Sequence, residues 1–303
     1  MSGELGLRPF TSKRKPSDLF ACKWLRASTT TKAKGSGGSL RSPCCFRAKA
    51  LLSRELPAPG RWTASPCTSA PVPEDNDWVL NLVANEPFIC AVVGNLDPES
   101  ADFPALLDRF ARNPRFRGIR IRPGRPLDFD HPRLRPNLQA MAAMRCTLDV
   151  VMRGADLVRL AQLAAEMPGL RIMIDHLAFV KVTGSPPDPA WIANMERFSG
   201  LPSVFCKVSR FTEQAAIQPA PLEMAYYAPV FDVVWRVFGA DRLAYGSNWP
   251  PCLNAGDYCA TVNVAQDYFR AKGPDAFAKV MGGNAAAFYG GPGFPALRAT
   301  GNA

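Results

Sequence analysis

The feature that most constrains this chain is an alternation, repeated from about residue 88 to residue 289, of short apolar runs with longer amphipathic ones. The spacing predicts strands at Phe88–Val93, Gly118–Arg122, Thr147–Met152, Leu170–Asp175, Val204–Val208 and Leu243–Tyr245. Between and after them it predicts helices at Asp102–Arg112, Pro132–Met144, Ala155–Met167, Pro189–Phe198, Leu222–Phe238, Asp257–Ala271, Asp275–Met281 and Ala285–Tyr289. A further helix, Asp77–Asn85, precedes the first strand, with Trp78, Leu82, Val79 and Val83 at helical spacing. Asn284 stands where it could cap the last helix. Apolar strands separated by amphipathic helices mean a parallel sheet covered by helices. The expectation is an α/β fold, a (β/α)8 TIM-barrel-like domain that lacks its first one or two strands, because six strands are legible and a closed barrel needs eight. A doubly wound open sheet is the alternative; against it, no Gly-rich phosphate loop follows any strand.

Charge divides the chain in two. Residues 1–70 hold 13 Lys/Arg against Glu4, Asp18 and Glu55, whereas the rest holds 23 of each sign. The net charge of +10 therefore belongs to a Ser-, Arg- and Lys-rich segment without helix or strand period, and the 71–291 domain is close to neutral. Three readings of 1–70 stand open: a transit peptide, a disordered tail that touches anions, or residues foreign to the parent fold. Residues 292–303 read as a flexible tail. Aromatic interleaving in 1–70 is thin and no nucleic-acid motif occurs, so no specific nucleic-acid partner is expected. No apolar run is long enough to span a membrane. The nine cysteines contain no Cys-x-x-Cys, which suits free thiols in a reducing compartment. Cytoplasm is the expected location, with mitochondrion or plastid the alternative if 1–70 is a transit peptide.

Chemistry is sought at strand ends, where (β/α) enzymes keep it. In Gly118-Ile-Arg-Ile-Arg122, alternation puts Arg120 and Arg122 on one face and Ile119 and Ile121 on the other. Two inward guanidiniums are costly unless an anion joins them, so they read either as a clamp for a substrate carboxylate or carbonyl, or as rim salt bridges to Asp97 or Asp128. His176 ends the fourth strand and is one of only two histidines; the other, His131, sits in a loop. Asp175 is read onto the opposite face, as an anchor. Lys207 ends the fifth strand, to bind substrate or form a structural ion pair. The sixth strand stops at Gly246 and delivers Asn248, Trp249 and a double proline, with Gly246 assigned backbone freedom that a side chain would forbid. A zinc hydrolase commonly uses a His-x-His pair; none occurs here, so no metal or other cofactor is expected and zinc is the less favoured alternative.

Taken together, Val92-Val-Gly-Asn-Leu-Asp-Pro98, Gly118-Ile-Arg120, Ile174-Asp-His-Leu177, Lys207-Val-Ser209, Phe238 through Pro250 and Gly283 through Tyr289 resemble the amidohydrolase-related family of TIM-barrel, metal-dependent hydrolases. That family includes 2-pyrone-4,6-dicarboxylate lactonase and the sugar-lactone hydrolases. The resemblance covers about residues 71–290. It implies a (β/α)8 barrel in which water attacks a small carboxylated lactone, an ester or a C–N amide. It also implies that His176 orients or polarises the scissile carbonyl or ligates metal, that Arg120 holds substrate, and that Arg122, Lys207 and Trp249 lie nearby. Asn248 stands where the family usually carries the aspartate that activates water. A carboxamide orients water but does not take its proton. That departure and the missing His-x-His keep a second reading open, a catalytically impaired small-molecule-binding homologue.

Overall fold

A computed structural model describes residues 73–290, apart from 86–88, 90 and 123–125. The segments read above as 1–70 and 292–303 lie outside the described residues, as does part of the run Phe88–Val93. The elements follow in the order α1 (Glu74–Val83), β1 (Val92–Gly94), α2 (Phe103–Ala111), β2 (Phe116–Ile121), α3 (Leu134–Ala143), β3 (Thr147–Val150), α4 (Ala155–Glu166) and β4 (Arg171–Ile174). Then come α5 (Pro189–Glu196), β5 (Val204–Val208), α6 (Met224–Phe238), β6 (Leu243–Tyr245), α7 (Tyr258–Arg270), α8 (Pro274–Ala278) and α9 (Asn284–Tyr289).

The six strands form one sheet in the order β1-β2-β3-β4-β5-β6, and every neighbouring pair is parallel. A doubly wound sheet reverses its strand order at a switch point. This sheet never does, so the chain winds one way only, as a barrel does, and the open-sheet alternative falls. The strand ends that follow each crossover therefore all lie on one edge.

Strand alternation sorts side chains into two layers. Ile119, Ile121, Leu148, Val150, Ile172, Ile174, Val204, Cys206, Val208 and Leu243 pack with the helices into the main core. Val93, Met173 and Ala244, with Phe205 beside them, face the other way and meet Ala285, Phe288 and Tyr289 of α9. The last helix thus covers the inner face of the sheet. Asn284 fixes it there: its amide donates to the carbonyls of Ala240 and Leu243, both at 2.7 Å, at the entrance to β6. It is a helix residue that ties α9 to the sheet and makes no side-chain cap, contrary to the expectation above.

Two further differences are local. Helix α1 begins at Glu74 and buries Val79, Leu80 and Val83, while Trp78 is 39% exposed and stands off the apolar stripe. The run read as a helix ending at Met281 breaks into α8 and a wider π turn, Lys279–Gly283, before α9. Gly118 shows why β2 and β3 approach so closely. A Cβ there would lie 2.0 Å from the backbone oxygen of Thr147, so only hydrogen fits.

Candidate active site

On the inner face, the polar side chains at the C-terminal ends of β2 to β5 converge. Arg120 of β2 aligns with Asp149 of β3 in the sheet register. Lys207 of β5 lies 2.9 Å from Asp149 Oδ2 and 2.5 Å from Asp175 Oδ1. Arg120 Nε lies 2.7 Å from Asp175 Oδ2. The Tyr289 hydroxyl, from α9, donates to Asp149 Oδ2 at 2.5 Å. Two cations thus meet two carboxylates, and the carboxylate side chains are fully buried while Arg120 and Lys207 are 16% and 15% exposed. The cations form the rim of the cluster and the anions its floor.

Asp175 accordingly contradicts its sequence reading as an outward anchor. It follows Met173 on the inner face, as a period of two requires. Alternation does not extend to His176, which is not a strand residue. The strand ends at Ile174, and His176, Leu177, Ala178 and Phe179 have φ of 57°, 53°, 51° and 57°. Four consecutive residues therefore make one left-handed turn. Such backbone costs about 1–2 kcal/mol per residue for L-amino acids. Side chains from neighbouring elements hold it in place. Trp191 Nε1 donates to the Leu177 carbonyl at 3.0 Å, and Gln214 Nε2 donates to the His176 carbonyl at 3.2 Å. Strain of this kind clusters at functional sites.

The turn swings the His176 ring against Arg120. Nε2 lies 2.6 Å from Arg120 Nη2, and Nδ1 lies 2.8 Å from Ser209 Oγ. A guanidinium can only donate, so Nε2 must accept, and the ring is neutral with its proton on Nδ1, shared with Ser209. Burial drives the imidazole pKa down to about 3; the Asp175 carboxylate opposes this, and the charges of Arg120, Lys207 and Arg210 reinforce it. The ring therefore acts on Arg120.

The two carboxylates differ. Burial alone would raise Asp175, yet Arg120 and Lys207 together bring it to about 2. Asp149 moves the other way: burial raises it, Lys207 only partly offsets that, and the Asp175 charge adds to the rise. Burial would lower Lys207, but Asp149 and Asp175 lift it well above the usual lysine range. Burial, then the Asp149 charge, lifts Tyr289 well above the usual phenol range. Asp175 and Lys207 are thus held charged and Tyr289 is held as the neutral phenol, whereas burial favours the neutral form of Asp149.

Asn248 lies just past the end of β6, next to β5. Its φ of 51° is left-handed, a conformation asparagine tolerates better than most residues. Gly246, expected to supply such freedom, does not have a positive φ. It is needed for space: a Cβ would sit 3.2 Å from Lys207 Cδ and 3.3 Å from Ser209 Cβ. The Asn248 amide donates to Glu213 Oε1, and Thr212 Oγ1 donates to Glu213 Oε2 at 2.9 Å. Glu213 belongs to the loop after β5, the loop that also supplies Ser209 and Gln214 to His176. Backbone hydrogen bonds from Val182 to Gln214 at 3.0 Å and from Ala216 to Val182 at 2.7 Å zip this loop to the one after β4.

Of the residues singled out in the sequence, Arg120, His176 and Lys207 form one contact network. Asn248 joins the loop that flanks it. Arg122 is half-buried one residue beyond β2, and Trp249 is half-buried beside Asn248, with its N–H donating to Ser247 Oγ at 3.2 Å. The clamp at Arg120 is anchored by Asp175. Residues not anticipated are Asp149, Ser209, Glu213 and Tyr289. Asp149 carried a usable signal, a lone charge two residues from Thr147 inside an apolar strand. Tyr289 carried none, because its partner is 140 residues away.

The chain matches the family described as amidohydrolase over residues 52–291. It is 36% identical over 228 residues to the L-fucono-1,5-lactonase of Burkholderia ambifaria, a match that covers 73% of this chain and 77% of that protein. An amidohydrolase from Burkholderia multivorans shares the fold, with a TM-score of 0.66 at 21% identity over 74% of this chain and 81% of its own. So does a probable 2-pyrone-4,6-dicarboxylic acid hydrolase from Acinetobacter baumannii, with a TM-score of 0.62 at 14% identity over 87% and 93%. A second crystal form of the Burkholderia multivorans protein has bound zinc. The donors described in this chain do not fit such an ion. Among the described residues no group of three or more His, Cys, Asp or Glu side chains could hold a metal. His176 Nε2 faces a guanidinium, and the carboxylates of Asp149 and Asp175 face lysine and arginine.

Proposed function

Because the chain belongs to the amidohydrolase family, and is therefore placed among the hydrolases, we propose that it opens the ring of a small lactone of the sugar-lactone type by attack of water. The observation that carries this reading is the fixed guanidinium at the strand ends. Arg120 is gripped at Nε by Asp175 and at Nη2 by a neutral His176, and it stays part-exposed. A cation held this rigidly is prepared for charge that develops during the reaction. In lactone hydrolysis that charge is the oxyanion of the tetrahedral intermediate. Arg120 would receive it, His176 and Asp175 would keep Arg120 in position, and Lys207 would hold Asp175. Arg122 and Trp249 would contact the rest of the substrate.

The same geometry favours a lactone over an amide. An amide nitrogen must be protonated to leave, and the one histidine in the network is held neutral with a pKa of about 3. A lactone releases an alkoxide, a better leaving group that asks less of a proton donor. The proposed reaction takes no step through a metal: His176 Nε2 and the carboxylates of Asp149 and Asp175 already face cations.

Proton release measured in weak buffer tests this reading. L-fucono-1,5-lactone and a panel of other five- and six-membered sugar lactones are the substrates, with and without prior dialysis against a chelator. Turnover that survives chelation and falls by about 10²–10³-fold in Arg120→Met is expected, the loss typical of one oxyanion donor. A wild-type protein no faster than buffer on every lactone would replace this reading with the impaired, ligand-binding homologue. Activity that returns only with added zinc would overturn the metal-free part alone.

A further inference from the structure

We propose that Glu213 is the carboxylate that takes the proton of the attacking water. The proposal rests on the lactone-hydrolase reading and adds to it the base that Asn248 cannot be. Ester and lactone hydrolysis by water needs an acceptor for the water proton, and a carboxamide is not one. The carboxylates of the buried cluster are unsuited. Asp149 and Asp175 have no exposed side-chain surface, and lysine, arginine and tyrosine groups crowd them.

Glu213 differs on each count. It is part-exposed, so water reaches it. Its two oxygens accept from the neutral donors Asn248 Nδ2 and Thr212 Oγ1, which orient the carboxylate without neutralising it. Its loop is tied to the His176 turn at two points, through Ser209 to the ring and through Gln214 to the backbone carbonyl. Asn248 is therefore more than a lost aspartate. An aspartate at 248 would set two carboxylates in contact, whereas the amide there donates to Glu213 and keeps the glutamate available.

In the resulting step, Glu213 removes a proton from water as the water oxygen bonds to the lactone carbonyl carbon, and the carbonyl oxygen becomes an oxyanion facing Arg120. The intermediate then collapses, the bond from that carbon to the ring oxygen breaks, and the proton on Glu213 passes to the departing alkoxide. The product is a hydroxy acid, whose carboxyl proton is released to solvent, and Glu213 returns to its starting state. Tyr245 on β6, Cys252 in the turn that follows it and Tyr227 on α6 feel the charge of Glu213. Burial raises all three above their ordinary values, Cys252 to about 12.

The test is the pH dependence of kcat for wild type, Glu213→Gln and Asn248→Asp on whichever sugar lactone the wild type turns over. Glutamine keeps the shape of Glu213 and can still accept from Asn248. The proposal expects kcat for Glu213→Gln to fall by about 10²–10⁴-fold with KM held within about threefold, and the acid limb of the profile to disappear. It expects the acid limb of Asn248→Asp to move up by about one pH unit or more, since adjacent carboxylates resist ionising together. A Glu213→Gln variant within about threefold of wild type, or a slow one that retains the wild-type acid limb, overturns the assignment of Glu213. So does an Asn248→Asp variant faster than wild type, which would put the base at 248. A wild type inactive on every lactone overturns the functional reading and this proposal together, whereas an active wild type with an unaffected Glu213→Gln overturns this proposal alone.

Discussion

Lowering the pH should destabilise this protein through a single buried ring. His176 is 7% exposed and faces Arg120, and its pKa is lowered from the ordinary 6.5 to about 3. Between those values the unfolded chain binds a proton that the native chain refuses. Stability is therefore complete above pH 6.5 and falls as pH drops towards 3. One pKa unit corresponds to about 1.4 kcal/mol, so at pH 4 the loss from this residue alone is about 3 kcal/mol. Asp175, held at about 2, loses its own contribution only below the ordinary carboxylate value of 3.8, and Asp149, raised by burial, acts in the opposite sense, so the histidine's part is read from the difference between wild type and a variant at 176. The assay is urea denaturation at pH 7, 6, 5 and 4 of the wild type and of His176→Gln, whose side-chain oxygen can accept from Arg120 and does not titrate. The stability of the variant relative to wild type should rise by about 3 kcal/mol across the series, whatever its value at pH 7. Parallel lines for the two proteins would show that the ring is not held neutral by its surroundings.

Two structural predictions accompany it. Lys207→Met leaves Asp149 and Asp175 buried without their shared cation and should cost about 3–5 kcal/mol, read as a lower denaturation midpoint at unchanged slope. Trp191→Phe keeps the packing but strands the Leu177 carbonyl of the left-handed turn. It should lower stability by about 1–3 kcal/mol and speed hydrogen exchange in residues 176–179 relative to the rest of the sheet.

Much of this fold was legible because its strands are short, apolar and punctuated. Val204–Val208 and Leu243–Tyr245 have the boundaries read from sequence, each being a short apolar run that ends at a polar residue or glycine. Boundaries slipped where a different backbone geometry intruded. The π turn after α8 leaves no mark in side-chain periodicity, and neither does the left-handed turn at His176–Phe179. That turn also caused the one error of consequence in the site. Alternation holds only within a strand, and counting it through His176 sent Asp175 to the wrong face. Arg120 and Lys207 were found because they are charges at strand ends. What they pair with was not, because Asp149 and Tyr289 reach the cluster from separate elements of the winding. Glu213 was invisible for another reason: a glutamate in a polar loop acquires meaning only when Asn248 is seen to point at it.

The central claim is that substrate chemistry takes place on Arg120, at the edge where β2 to β6 end. A crystal structure with the ring-opened aldonate product bound tests it most directly. The account predicts the product carboxylate within hydrogen-bonding distance of the Arg120 guanidinium, with His176 and Asp175 still holding that guanidinium from behind. A product bound at the opposite edge of the sheet, or on the outer surface with Arg120 out of reach, would contradict it.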